Sequence, residues 1–164
     1  MRLATIFAVL IFLALAATAA DTLAQLQAKF DHESNPVHRA KLLQKLGDAQ
    51  FEETRRAGNV SDHATVALVL EKYRDNVRVT FDGLKKRHPD AERNSNGYRQ
   101  LESHVRRGIR EVDDSLLLAP EQFKPPLELV RHDLAAIEDE LIAMLFPAHT
   151  KPSAPTPPSV EKQP

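Results

Sequence analysis

The chain has 164 residues, a formal net charge of −1, no cysteine and no tryptophan, and aromatic residues make up only 5% of it. Without cysteine there can be no disulfide, thiolate zinc site, c-type haem attachment or cysteine nucleophile, so the fold must stand on its hydrophobic core. The near-neutral charge argues against a nucleic-acid partner, and the scarcity of aromatics argues against an aromatic-cage or carbohydrate-binding surface.

The first segment, MRLATIFAVLIFLALAATAA, carries one charge at Arg2, an apolar run from Leu3 to Ala17 and a small-residue end. That pattern predicts a secretory signal peptide over 1–20, cleaved just before Asp21, and hence an exported, periplasmic or secreted protein. The alternative is an uncleaved anchor, for which the run is slightly short of the ~20 residues of a membrane span. No cysteine follows the run, which excludes a bacterial lipid anchor at that position.

From Asp21 to His32, Leu23, Leu26 and Phe30 predict a short amphipathic helix. Asn35 to Gly58 combines a capping asparagine, a proline at the first helical position and apolar residues at Val37, Leu42, Leu43, Leu46 and Ala49. Arg55 and Arg56 suit its last turn, and Gly58 is expected to take the left-handed position that ends it. Ser61 is expected to cap a second long helix, with Ala67, Leu70, Val77, Phe81 and Leu84 inward and Val66, Val69 and Tyr73 widening the stripe.

Lys85 to Gly97 is polar, contains Pro89 and an Asn/Ser/Gly cluster, and is expected to be a loop. A third helix is predicted from about Tyr98 to Leu117, with Tyr98, Leu101, Val105, Ile109, Val112 and Leu116 inward and Gly108 allowing close helix approach. After a proline-punctuated connection anchored by Phe123, Pro126 opens a fourth helix with Leu127, Val130, Leu134, Ile137, Leu141 and Met144 inward. Pro147 stops it, and the remainder, 148–164, is proline-rich and expected to be disordered.

These elements predict an all-α fold, an antiparallel four-helix bundle over 21–147 with a short extra N-terminal helix. A helical-repeat hairpin, hinted at by Leu46-Gly47 and Ala49, is the alternative, but no ~34-residue period recurs.

The search for chemistry finds no catalytic motif. None of the seven histidines, His32, His38, His63, His88, His104, His132 and His149, forms a His-Glu-x-x-His arrangement or an i, i+4 pair. Asp31, His32, Glu33 and His38 lack metal-ligand spacing and read as a solvated helix junction. His104 is expected to be hydrogen-bonded across the bundle. No Glu-x-x-His occurs, which excludes the usual carboxylate-bridged di-metal bundle. Nucleophile elbow, phosphate loop and dinucleotide fingerprint are also missing. No catalytic residue, cofactor or metal is therefore assigned.

Charge is distributed unevenly. Lys85 to Arg110 holds eight basic against three acidic residues, +5, and Glu111 to Glu140 holds two basic against nine acidic, −7. Arg99, Arg106, Arg107 and Arg110 form a candidate patch for an anionic lipid, glycan or acidic partner. The competing and favoured expectation is that the acidic fourth helix neutralises this basic face within the bundle.

The segments NPVHRAKLLQKLGDAQFEE, LVLEKYRDNV and ELIAMLFP together resemble those of uncharacterised small secreted helical proteins of soil bacteria. The resemblance implies export and a helical fold, and carries no site residue with it. The expectation is a non-catalytic, exported interaction or structural protein of the bacterial cell envelope, with binding through the arginine patch as the alternative.

Overall fold

A computed structural model describes residues 22–147. The expected signal segment (1–20) and proline-rich tail (148–164) lie outside the described residues. The fold is all-α, as the apolar spacing requires. Helix α1 spans 22–32, α2 Pro36–Asn59, α3 His63–Arg87, α4 Ser95–Leu118 and α5 Lys124–Leu145, with a single 3-10 turn, Glu121–Phe123, before α5. Helices α2 to α5 form an antiparallel four-helix bundle in which α2 packs beside α3 and α4, and α5 beside α4 and α3. Helix α1 is the extra element, plugged into the core by Phe30 and flanked by Leu23 and Leu26.

The start of α2 forms as its residues dictate. The Asn35 side chain accepts the N–H groups of Val37 and His38 at 2.9 and 3.3 Å, and Pro36 fills the first position, where an N–H would have no partner. Its end differs from expectation. No glycine has a positive φ among the described residues, and the left-handed residue is Ser61, at φ 59°. The helix runs on to Asn59, and the Asp62 N–H turns back to the Ala57 carbonyl at 2.9 Å, so the reversal falls three residues beyond Gly58.

With Ser61 committed to that turn, it cannot cap α3. Asp62 does so, accepting the Thr65 N–H at 3.1 Å and the Thr65 hydroxyl at 2.7 Å. Those bonds favour the carboxylate and hold its pKa below the usual aspartate range.

The connection expected over 85–97 is shorter, residues 88–94. Lys85, Lys86 and Arg87 extend α3 because positive charge suits its C-terminal carbonyls, and Lys85 Nζ sits 4.8 Å from the Phe81 ring centre. The turn is pinned from two sides. Asp90 accepts the Arg93 N–H at 3.0 Å, and the Tyr98 hydroxyl donates to the His88 carbonyl at 2.8 Å.

Helix α5 begins at Lys124 rather than Pro126, since prolines at 125 and 126 both fit a first turn. Phe123 is half-buried, with its ring 5.5 Å from that of His63. The centre of the bundle is Leu43, Leu46 and Phe51 of α2, Leu70, Tyr73 and Val77 of α3, Leu101 and Val105 of α4, and Leu127, Leu134 and Leu141 of α5. Val37, Leu42, Ile109, Leu116 and Met144 lie at the core's edge, half-buried. Among the described residues, no helix is long and apolar enough to cross a membrane.

Candidate functional site

Helix α4 faces the core with Tyr98, Leu101, Val105 and Val112, which leaves Arg99, Ser103, Arg106 and Arg110 on its outer face at spacings of four, three and four. The structure treats the four arginines of the candidate patch differently. Arg99 and Arg110 are exposed and make no ion pair among the described residues. Arg106 leans toward α5, with Nε 3.1 Å from Glu138 Oε1, and also bonds Glu102 one turn back on α4.

Arg107 leans the other way. It meets Asp48 of α2 at 2.7 Å, with its guanidinium 5.5 Å from the centre of the Phe51 ring. Further pairs tie the same helices together: Arg55 forks onto Glu111 at 2.7 and 2.8 Å, and Arg131 meets Asp113 at 2.6 Å. These pairs are partly solvated, so each contributes at most about 1 kcal/mol.

Beneath Arg107 lies a cluster of buried polar and aromatic groups. His104 is 5% exposed, and its Nε2 stands 3.0 Å from the Leu43 carbonyl and 3.2 Å from that of Gln44. Two carbonyls can only accept, so Nε2 carries the proton, and in the neutral ring Nδ1 keeps its lone pair. The imidazole meets Phe51 edge-on at 5.5 Å and Tyr73 at 5.6 Å, and the Tyr73 hydroxyl donates to the His104 carbonyl at 2.9 Å. The expected cross-bundle bonding of His104 is thus present, directed at the α2 backbone.

Two glycines make room for this cluster. A Cβ on Gly47 would lie 2.4 Å from His104 Nε2, and one on Gly108 would lie 2.4 Å from Tyr73 Cε1. Each helix approaches its neighbour's ring where it has no side chain of its own.

Burial lowers the His104 pKa from the ordinary histidine value, with Asp48 opposing the shift, and raises that of Tyr73 well above the usual phenol range. A small cavity of about 200 Å³, lined by Gln44, Asp48, Ser103, His104 and Arg107, opens above the ring. In this arrangement His104 donates from Nε2 to the backbone, and Arg107 and Asp48 neutralise each other at the mouth. Its evident work is to clamp α4 onto α2.

The pKa direction gives a testable pH dependence. Because the folded state holds His104 neutral more readily than the unfolded chain does, the unfolded chain binds the extra proton first as pH falls. The stability associated with neutral His104 is therefore complete above the ordinary value of 6.5, declines as pH drops below it, and is lost below the depressed folded value. Urea unfolding of wild type and His104→Gln from pH 8 to pH 5 should show the steeper loss in wild type. Parallel slopes would contradict the assignment.

The Asp31–His38 junction stays solvated, with His38 Nδ1 3.9 Å from Glu33 and largely exposed. No group of three or more metal-ligating side chains occurs among the described residues.

Sequence reasoning missed the buried polar positions Gln50, Thr54, Asn76 and Thr80. Thr54 and Thr80 donate to the carbonyls four residues back, at 3.0 and 2.8 Å, which hides their hydroxyls inside α2 and α3. Asn76 exchanges amide hydrogen bonds with Gln27 of α1 at 3.0 and 3.2 Å. A signal was available in Gly47, a glycine inside an apolar helical stripe, which marks a close contact.

The fold and these clusters define a polar-pinned helical bundle. Comparison with family models, curated proteins and solved structures finds no match to this chain.

Proposed function

We propose that this chain is an exported, non-catalytic helical-bundle protein of the bacterial cell envelope that acts through its surface, as an interaction or structural component. The observation that carries this reading is an apolar end to the bundle, where Val60, Leu117 and Leu118 are 75%, 83% and 78% exposed. Leu118 lines a cavity of about 330 Å³ together with Gly58 and Asn59, so the C-terminal ends of α2 and α4 share one rim. Large aliphatic side chains this exposed, close to the C-terminal ends of α2 and α4, suit a protein interaction surface. The partners of His104, Tyr73, Arg106 and Arg107 are other parts of the bundle, which supports a role without catalysis. Export rests on the leader-like pattern of 1–20.

The reading is tested in cells by photo-crosslinking, with a benzophenone side chain in place of Leu117 or, as control, His132 on α5. The expected result is a processed chain in the exported fraction and a discrete protein adduct from position 117 only. An unprocessed cytoplasmic chain, or no adduct from position 117, overturns it.

A second reading draws on Arg99 and Arg110, which face solvent without ion-pair partners among the described residues. Their spacing is about 16 Å along α4, a span suited to an anionic lipid, glycan or acidic protein. Co-sedimentation with anionic vesicles that disappears at roughly 1 M salt, where screening acts within ~3 Å, and in the double variant Arg99→Glu/Arg110→Glu would favour it. Absence of wild-type binding removes it.

A further inference from the structure

The cavity of about 330 Å³ at the C-terminal ends of α2 and α4 has a wall that carries no side chain. Gly58 follows Thr54 by four residues and Arg55 by three, so a side chain there would project into the space those two line. A Cβ on Gly58 meets nothing within 4 Å, whereas at each of the other four glycines it would meet a neighbour at 3.3 Å or closer. Gly58 also has no positive φ. Neither packing nor backbone conformation therefore calls for a residue that forms helix so poorly. Its effect is to keep the cavity open.

Charge marks what the cavity suits. Counting histidine as neutral, its lining holds two acidic groups, Glu111 and Asp114, against one basic group, Arg55. Arg55 and Glu111 are bonded to each other, whereas Asp114 makes no ion pair or hydrogen bond among the described residues. The carbonyl ends of α2 and α4 add partial negative charge to the same rim, and the last turn of α4 holds no basic residue to offset it. The N-terminus of α3, of opposite sign, is already capped by Asp62. The apolar part of the lining is the buried Val66 and the exposed Leu118, which lies one turn beyond Asp114 and next to the exposed Leu117.

We infer that this cavity receives one long basic side chain, arginine or lysine, from a partner protein whose neighbouring apolar residues cover Leu117 and Leu118. The inference rests on the reading of this end of the bundle as a protein interaction surface and adds the partner's chemistry to it. Asp114 supplies the counter-charge. The bare helix at Gly58 leaves room for the stem, whose methylenes pack on Val66 and Leu118. Two copies of this chain meeting through the same end would bring like acidic rims together, which disfavours self-association here.

The test titrates the full chain with acetyl-Leu-Arg-Leu-amide and with the same peptide carrying citrulline, a neutral isostere of arginine, following the valine and leucine methyl resonances. In wild type the signals of Val66, Leu117 and Leu118 shift, and the arginine peptide binds roughly three- to fivefold more tightly, the ratio for one partly solvated ion pair. Asp114→Asn, a surface change, brings the two affinities together. Gly58→Leu folds with a Tm at or above that of wild type, because its side chain enters open space, and loses the Val66 shift with both peptides. No binding by the arginine peptide, equal wild-type affinities, or a Val66 shift retained in Gly58→Leu would each overturn the inference. The position-117 adduct in cells judges the interaction reading separately.

Discussion

Tyr73→Ala is expected to destabilise the protein by about 4 kcal/mol, within the range for deleting a buried aromatic ring, and to lower Tm by roughly 15 °C for a domain of this size. The ring is fully buried at the meeting point of α2, α3 and α4, 4.8 Å from Phe51 and 5.6 Å from His104. Gly108 faces its Cε1 edge and Gly47 its Cε2 edge, and neither glycine can move inward to fill the void without bending its helix. The cavity term therefore stays close to its full value. Tyr73→Phe separates the polar part, because it removes only the hydroxyl that donates to the His104 carbonyl. That variant should lose about 1 kcal/mol. Urea unfolding of both variants measures the split, and a Tyr73→Ala loss under about 2 kcal/mol would contradict a rigid hub.

Gly108→Ala should also destabilise, against the usual preference for alanine over glycine within a helix. That preference contributes about 1 kcal/mol in favour of the variant. Opposing it, the new methyl would sit 2.4 Å from Tyr73 Cε1 and 2.6 Å from the Tyr73 hydroxyl oxygen. Overpacking of this kind costs about 1–3 kcal/mol or more, and a ring held on every side places it at the upper end. The net expectation is a loss of about 2 kcal/mol, or roughly 8 °C in Tm. Combining Gly108→Ala with Tyr73→Leu should be less damaging than the sum of the two changes, since each relieves the other. Additivity, or a rise in Tm for Gly108→Ala alone, would show that α4 shifts to absorb the methyl.

The helices were legible because their apolar residues repeat at helical spacing and because Asn35, Pro36 and Pro147 act locally. The ends of α2 and α3 were less so. Whether Gly58 or Ser61 takes the left-handed position depends on where the Asp62 N–H finds a carbonyl, a choice made by the turn as a whole. The loop is shorter than its polar composition suggests, because Lys85, Lys86 and Arg87 resemble loop residues yet favour a helix C-terminus.

At the candidate site, the spacing of Arg99, Arg106 and Arg110 along one face could be read directly. That Arg106 would turn to Glu138 and Arg107 to Asp48 could not, because partners thirty to sixty positions away are set by packing. Gln50 was hidden for the same reason: its burial depends on how the helices pack, which no local pattern encodes.

The glycine-and-ring contacts have a consequence for how the chain finds one structure. Bundles built from leucine-rich stripes can slide past one another by a helical turn, ~5.4 Å, while still burying similar apolar area. Here such a slip would drive Gly47 away from His104 and bring side chains with a Cβ against the imidazole and the Tyr73 ring. It would also strand the Nε2 proton from the Leu43 and Gln44 carbonyls. The two notches and their rings act as a ratchet pawl, selecting a single axial setting of α4 against α2 and α3. In a chain with no disulfide to fix that setting, the pawl supplies the specificity that hydrophobic burial alone lacks.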